Sequence, residues 1–114
     1  METLEIARSI VTTLEDKKGE NIILIDLQEI AIFADYFVIC SGSSDRMIQA
    51  LVDSATDQVK KQFRQNARIE GQADDGWILV DFGDIIMHVF SPQRRDYYRL
   101  EDLWSEGRIL LHVQ

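Results

Sequence analysis

Three features of the sequence predict a single α/β domain, a mixed β-sheet flanked by helices. Two segments carry apolar residues at helical spacing: Leu4, Ala7, Ile10, Val11 and Leu14 in the first, and Met47, Ile48, Leu51, Val52, Ala55, Val59 and Phe63 in the second. Several short β-branched and aromatic runs, each of strand length, lie between and after them. The chain has 114 residues, enough for one domain with its own core and too few for two ordinary ones, so residues 1–114 are read as one unit.

The first amphipathic segment predicts a helix over residues 3–17, with Glu5, Arg8, Thr12, Glu15 and Asp16 on its solvent side. Lys17-Lys18-Gly19 ends it, placing cations near the negative end of the helix dipole and a glycine beyond it. Asn21 to Leu27 and Tyr36 to Cys40 read as strands, with Ile32-Phe33-Ala34 between them as a loop or single turn packed on the core. Ser41-Gly42-Ser43-Ser44-Asp45 is a small-residue turn feeding a long helix from about Ser44 to Gln65. Arg68 to Gly71 is a short extended piece, and Gln72 to Gly76 a polar loop.

Trp77-Ile78-Leu79-Val80-Asp81-Phe82 and Ile85-Ile86-Met87-His88-Val89-Phe90 then form an antiparallel hairpin around Gly83-Asp84. Neither arm alternates apolar with polar, which predicts central strands covered on both faces. Pro92 is expected to stop the hairpin, Glu101 to Trp104 to form a short helix or turn, and Arg108 to His112 a last extended segment. Two helical stripes cannot pack on each other and still cover both faces of such a sheet unless loops or a second copy help, so part of the sheet is expected to be available to a partner.

Composition narrows the chemistry. Twenty acidic against twelve basic residues give a net charge of −8, which opposes phosphate backbones as the main source of affinity and favours a basic partner. Cys40 is the single cysteine, which excludes an intrachain disulfide and a cysteine-based zinc site. No run approaches the roughly 20 apolar residues that cross a bilayer. The opening Met1-Glu2-Thr3-Leu4-Glu5 has neither the basic start of a signal peptide nor the acid-poor composition of a transit peptide, so a cytoplasmic protein with no membrane association is expected.

Each group able to carry chemistry also has a structural reading. Gly42-Ser43-Ser44, between a strand and a helix, has the form of a phosphate cradle and resembles the Gly-Ser that opens nucleotidyltransferase sites, but a serine N-cap gives the same pattern. A nucleotidyltransferase also needs two carboxylates one residue apart on a strand to hold Mg²⁺, and none is offered. Asp81 and Asp84 read as turn chemistry of the hairpin. His88, inside an apolar strand, reads as a neutral histidine bonded to backbone or a carboxylate, His112 as solvated, Cys40 as a small core residue, and Asp74-Asp75 as a charged loop. No metal site and no cofactor are expected.

The informative set is Trp77, Tyr97, Tyr98 and Trp104 beside Arg94, Arg95 and Arg99. So many rings and guanidinium groups in one late segment are hard to bury together, and exposed aromatics with arginine are the residue types of binding hot spots.

Taken in order, Asp35-Tyr36-Phe37-Val38-Ile39, Gly42-Ser43-Ser44, Glu70-Gly71, Trp77 through Phe90, and Arg95-x-x-Tyr98-x-Leu100-Glu101-x-Leu103-Trp104 resemble the ribosomal silencing factor family, also called Iojap-like proteins. The resemblance spans roughly residues 3–105. It implies a non-enzymatic translation regulator with a nucleotidyltransferase-like fold that lacks the catalytic carboxylates. Family members bind large-subunit ribosomal protein fourteen where the small subunit docks, block subunit joining and reduce translation when nutrients are scarce; related proteins often form homodimers. Carried onto this chain, the resemblance makes Trp77, Asp81, Asp84, Arg95, Tyr98, Leu100, Glu101, Leu103 and Trp104 the partner-binding set. Trp77 and Tyr98 are the expected anchors, Leu100 an apolar contact, and Asp81, Asp84 and Glu101 the complement to a basic surface. Residues past Trp104 lie outside the block. The rival readings are a nucleotidyltransferase-like nucleotide-binding enzyme using Ser43 and Ser44, and a purely oligomeric scaffold.

Overall fold

The computed structural model describes residues 3–103 and 106–113, with Leu103 described in its backbone only. Helix α1 (Thr3–Asp16) precedes strands β1 (Glu20–Asp26) and β2 (Tyr36–Ser41), and α2 (Asp45–Phe63) follows. Strand β3 (Arg68–Gln72), a 3-10 turn at Ala73–Asp75, β4 (Trp77–Asp81) and β5 (Ile85–Phe90) come next. Two short helices, α3 (Pro92–Tyr98) and α4 (Leu100–Leu103), and a last strand β6 (Arg108–Val113) complete the described chain.

The strands form one sheet in the order β3-β4-β5-β2-β1-β6. Among the described strands only β2 and β5 run parallel; the other neighbouring pairs are antiparallel, so the sheet is mixed. A parallel pair needs a long crossover, and α2 with the β3–β4 hairpin supplies it. This is the α/β class the sequence predicts, and the hairpin of β4 and β5 is internal as expected.

Local chemistry fixes the boundaries. Lys18 adopts a left-handed φ of 68° after α1, and the Gly19 N–H donates to Leu14 O at 2.8 Å. Ser44 caps α2 by accepting from the Met47 N–H at 3.1 Å. Pro92 does more than stop a strand: Ser91 accepts from the Arg94 N–H at 3.2 Å and Pro92 occupies the first turn, so the pair opens α3, a helix absent from the sequence reading.

Both long helices lie on one side of the sheet. Ile6, Ala7, Ile10, Val11 and Leu14 of α1 and Ile48, Leu51, Val52, Ala55 and Val59 of α2 share one core with Ile22, Leu24, Val38, Cys40, Ile78, Val80, Met87 and Val89. Period-2 alternation sends the other strand residues to the opposite face. There Ile23, Ile25, Phe37, Ile39 and Phe90 form a second cluster with Leu27 and Ala34 from the β1–β2 connection, and Ala31, Trp77, Ile86 and Leu100 lie partly buried against it.

Coverage of this second face is incomplete, which corrects the expectation of strands buried on both sides. In β4, Trp77, Leu79 and Asp81 are only half-buried while Ile78 and Val80 are buried. The expected packing of Ile32-Phe33-Ala34 holds for Ala34 alone; Ile32 and Phe33 are exposed.

Candidate functional site

The incompletely covered face is built in rows set by strand register. Trp77 lies opposite Phe90, which pairs with Ser41; Leu79 lies opposite His88, which pairs with Ile39; Asp81 lies opposite Ile86, which pairs with Phe37. Helix α3 then lays its C-terminal tyrosines at the Trp77 end. The Trp77 ring centroid is 4.7 Å from that of Tyr98 and 4.9 Å from that of Phe90, and Tyr97 meets Tyr98 edge-on at 5.0 Å. Tyr98 is 36% exposed and Tyr97 76% exposed, so the cluster is sealed below by Phe90 and open above.

His88 fixes the centre of this face. It is 4% exposed and accepts, at Nδ1, a hydrogen bond of 3.2 Å from the Trp77 Nε1–H. An indole nitrogen only donates, so Nδ1 carries no proton and the hydrogen sits on Nε2, which has no hydrogen-bond partner among the described residues. Burial pushes the His88 pKa down to about 4, keeping the ring neutral. Neutrality is as the sequence reading has it; the partner is an indole rather than backbone or a carboxylate. The edge of the Trp77 ring is thereby committed inward and its orientation held.

An ion pair anchors the two short helices. Arg95 is 8% exposed; its Nε donates to Glu101 at 3.1 Å and its Nη1 to Ser41 Oγ at 3.0 Å, at the end of β2. This clamp sets where Tyr98 and Leu100 sit. Arg94 donates to the Asp75 carbonyl at 3.1 Å, and Arg99 pairs loosely at the surface with Asp96 and Asp102.

The structure brings Trp77, Tyr98 and Leu100 to one face, with Arg95 and Glu101 joined beneath them. Asp81 and Asp84 lie at the far end of the β4–β5 hairpin: Asp81 Oδ1 accepts from the Gly83 N–H at 2.8 Å, which is turn chemistry, whereas the Asp84 main-chain carbonyl accepts from the Asp35 N–H at 2.7 Å and ties the hairpin to the start of β2. The Leu103 side chain and Trp104 lie outside the described residues. Sequence reasoning missed the role of His88 toward Trp77, although opposed hairpin positions around Gly83-Asp84 would have put His88 one row from Trp77.

The Gly42 turn is occupied by structure. A Cβ at Gly42 would lie 2.9 Å from Ile48 Cγ1, so the glycine permits close seating of α2 on β2, and the Gly42 N–H donates to Phe90 O. Ser44 is the helix cap. Cys40 is fully buried, and that burial pushes its thiol up to about 12, against a smaller opposing effect of Arg95. Among the described residues no cluster of His, Cys, Asp and Glu has the geometry of a metal site, and no helix is long and apolar enough to cross a membrane.

The site is thus the half-open aromatic face of an acidic α/β domain, with a tryptophan held in place by a buried histidine, and it has the residue types found in binding hot spots. Comparison gives it a family. A family model described as "Ribosomal silencing factor during starvation" matches residues 1–113. A Bacillus subtilis protein named ribosomal silencing factor RsfS is 38% identical over 107 residues, covering 94% of this chain and 91% of that one. A mouse protein named for mitochondrial assembly of the ribosomal large subunit is 34% identical over 99 residues, 84% of this chain and 43% of the mouse protein. A crystal structure from Chromobacterium violaceum superposes with a TM-score of 0.87 at 35% identity, covering 92% of this chain and 88% of that one. The chain belongs to the ribosomal silencing factor family, whose name denotes regulation through the ribosome.

Proposed function

We propose that this protein docks its aromatic face on large-subunit ribosomal protein fourteen and sterically prevents the small subunit from joining, so that translation falls under nutrient limitation. The observation that carries the reading is the Trp77–Tyr98 pair, its ring centroids 4.7 Å apart and its planes tilted by 47°, half-open to solvent and held from below, in a chain of this family. Preorganised aromatics lose little entropy when a partner covers them. The net charge of −8 favours encounter with a basic protein embedded in ribosomal RNA over contact with the RNA itself.

In this reading Trp77, Tyr98 and Leu100 make the contact, while Arg95 and Glu101 hold the helices that present it. Asp81 and Asp84 stand at the other end of the face as acidic rim; Leu103, the last residue of α4, and Trp104, next in sequence, complete the proposed set. The protein acts in the cytoplasm, without cofactor or bond-making chemistry, and a homodimer is its ribosome-free form.

Co-sedimentation with purified large subunits, followed by light scattering of subunit association, tests the proposal. Binding that is saturable and that suppresses joining is expected. Free association in the presence of saturating protein would refute it. A nucleotide-binding enzyme would instead show saturable binding of nucleotide with Mg²⁺ by calorimetry, and a pure scaffold would form a stable dimer that leaves large subunits untouched.

A further inference from the structure

Between β3 and β4, on the aromatic face, Glu70, Gly71, Trp77 and Leu79 line a shallow notch of about 230 Å³. That is below the roughly 300–1,000 Å³ of ordinary small-molecule sites, and suits a single side chain better than a nucleotide. Its backbone is unusual. Gly71 has a φ of 98°, and a Cβ there would lie 2.5 Å from the Trp77 carbonyl oxygen, so only glycine lets β3 come this close.

The walls have a definite chemistry. Leu79 and the Trp77 ring are half-buried and apolar, and the indole N–H is already given to His88, so the ring offers carbon and its π face to whatever enters. Glu70 stands opposite Leu79 in the ladder, is exposed, and takes part in none of the ion pairs found among the described residues. Asp74 and Asp75 follow in the turn between the strands and add negative potential of the same sign. Apolar walls, an aromatic face and one free carboxylate at the rim match a long cationic side chain, whose methylenes cover Leu79 and the indole while its head meets Glu70.

We infer that this notch is the subsite for one lysine or arginine side chain of the protein partner. The inference rests on the proposed docking through Trp77 and gives that docking its charge selectivity: Tyr98 and Trp77 supply area, and Glu70 selects a cation beside them.

The test compares wild type with Glu70→Gln and Glu70→Lys in co-sedimentation with purified large subunits at low and high salt. Asp57→Asn, an exposed acid on α2, serves as the charge control. Glu70 is exposed on an edge strand, so unchanged melting temperatures are expected for both its variants. Glu70→Gln is expected to weaken binding about fivefold at low salt, with a smaller effect at high salt, and Glu70→Lys to weaken it further. Wild-type affinity in both Glu70 variants, or an equal loss in Asp57→Asn, would overturn the notch while leaving the docking proposal standing. Failure of the wild type to sediment would overturn both.

Discussion

The helix-covered face and the aromatic face belong to the same six strands, and they are built from different materials. Beneath α1 and α2 the sheet side presents mainly Ile, Leu, Val, Met and Cys, with Tyr36 and Phe82 as its aromatics, closed on the far side by two helical stripes. On the other side Trp77, Phe90, Phe37 and His88 stand among Ile23, Ile25 and Ile39, and all three buried polar or charged residues found among the described residues, Ser41, His88 and Arg95, lie on that side. Aliphatic packing tolerates no water and specifies a fold. Rings whose polar edges are tied down can stay half-open at fixed positions, which is what a docking surface needs. The difference teaches that stability and recognition are separated across the thickness of one sheet, so substitutions on the two faces should fail in different assays.

The largest expected effect is on the closed face. Leu51 is fully buried between α2 and the sheet, and Leu51→Ala should cost about 3 kcal/mol of unfolding free energy through lost burial and the cavity left behind. Urea denaturation followed by circular dichroism measures it, and the loss should appear without a change in affinity for large subunits at temperatures where the variant is folded. Weakened binding by the fully folded variant would break the proposed separation.

A comparable effect, confined to acid, is expected from His88. Its folded pKa, about 4, is below the ordinary value of 6.5, so between these limits the unfolded chain binds more protons than the folded one. Stability from this group is therefore intact above pH 6.5 and is lost as pH falls toward 4, by up to about 3 kcal/mol. His88→Gln should flatten that part of the stability profile in denaturant titrations between pH 7 and 4. Equal slopes in the two proteins would mean that protonation elsewhere dominates.

How far the sequence reached differs between the faces for the same physical reason. Helical stripes such as Ile48, Leu51, Val52, Ala55 and Val59 are periodic, so the middle of the closed face is legible from spacing; at its ends Leu4, Met47 and Phe63 are only partly buried, and buried Ile6 falls outside the predicted stripe. The β4–β5 hairpin around Gly83 is legible too. The open face depends on register and on contacts distant in sequence: the Trp77–His88 bond, the Arg95–Ser41 bond across the fold, and α3 itself, hidden because Pro92 was read as a stop although Ser91-Pro92 is a helix start. Family resemblance pointed to Trp77, Tyr98 and Arg95 together. Only geometry distinguishes the two rings, half-open, from the guanidinium sealed beneath them.

On the open face, Tyr98→Ala should do the reverse of Leu51→Ala. With its ring against Trp77 and partly exposed, it should cost about 2 kcal/mol in binding to large subunits if it is an anchor, and under about 1 kcal/mol in stability. Sedimentation titrations and urea melts of the same preparation give both numbers, and a stability loss larger than the binding loss would make Tyr98 a core residue.

The smallest effect sharpens the comparison, because the family resemblance puts Glu101 among the residues that meet the partner while the fold ties it to Arg95. Its carboxylate holds Arg95 at 3.1 Å, with the Arg95 side chain 9% and the Glu101 side chain 26% accessible. Glu101→Gln keeps the shape and one acceptor but leaves a nearly buried cation without its counter-charge, a loss of about 1 kcal/mol once the solvent access of Glu101 is allowed for. Because Arg95 ties α3 to Ser41 at the end of β2, that loss should loosen Tyr98 as well. Binding should weaken only modestly, and Glu101→Asp, too short to keep the same contact with Arg95, should behave like Glu101→Gln. If Glu101→Gln leaves stability untouched and abolishes binding, the carboxylate meets the partner directly and the clamp is not its function.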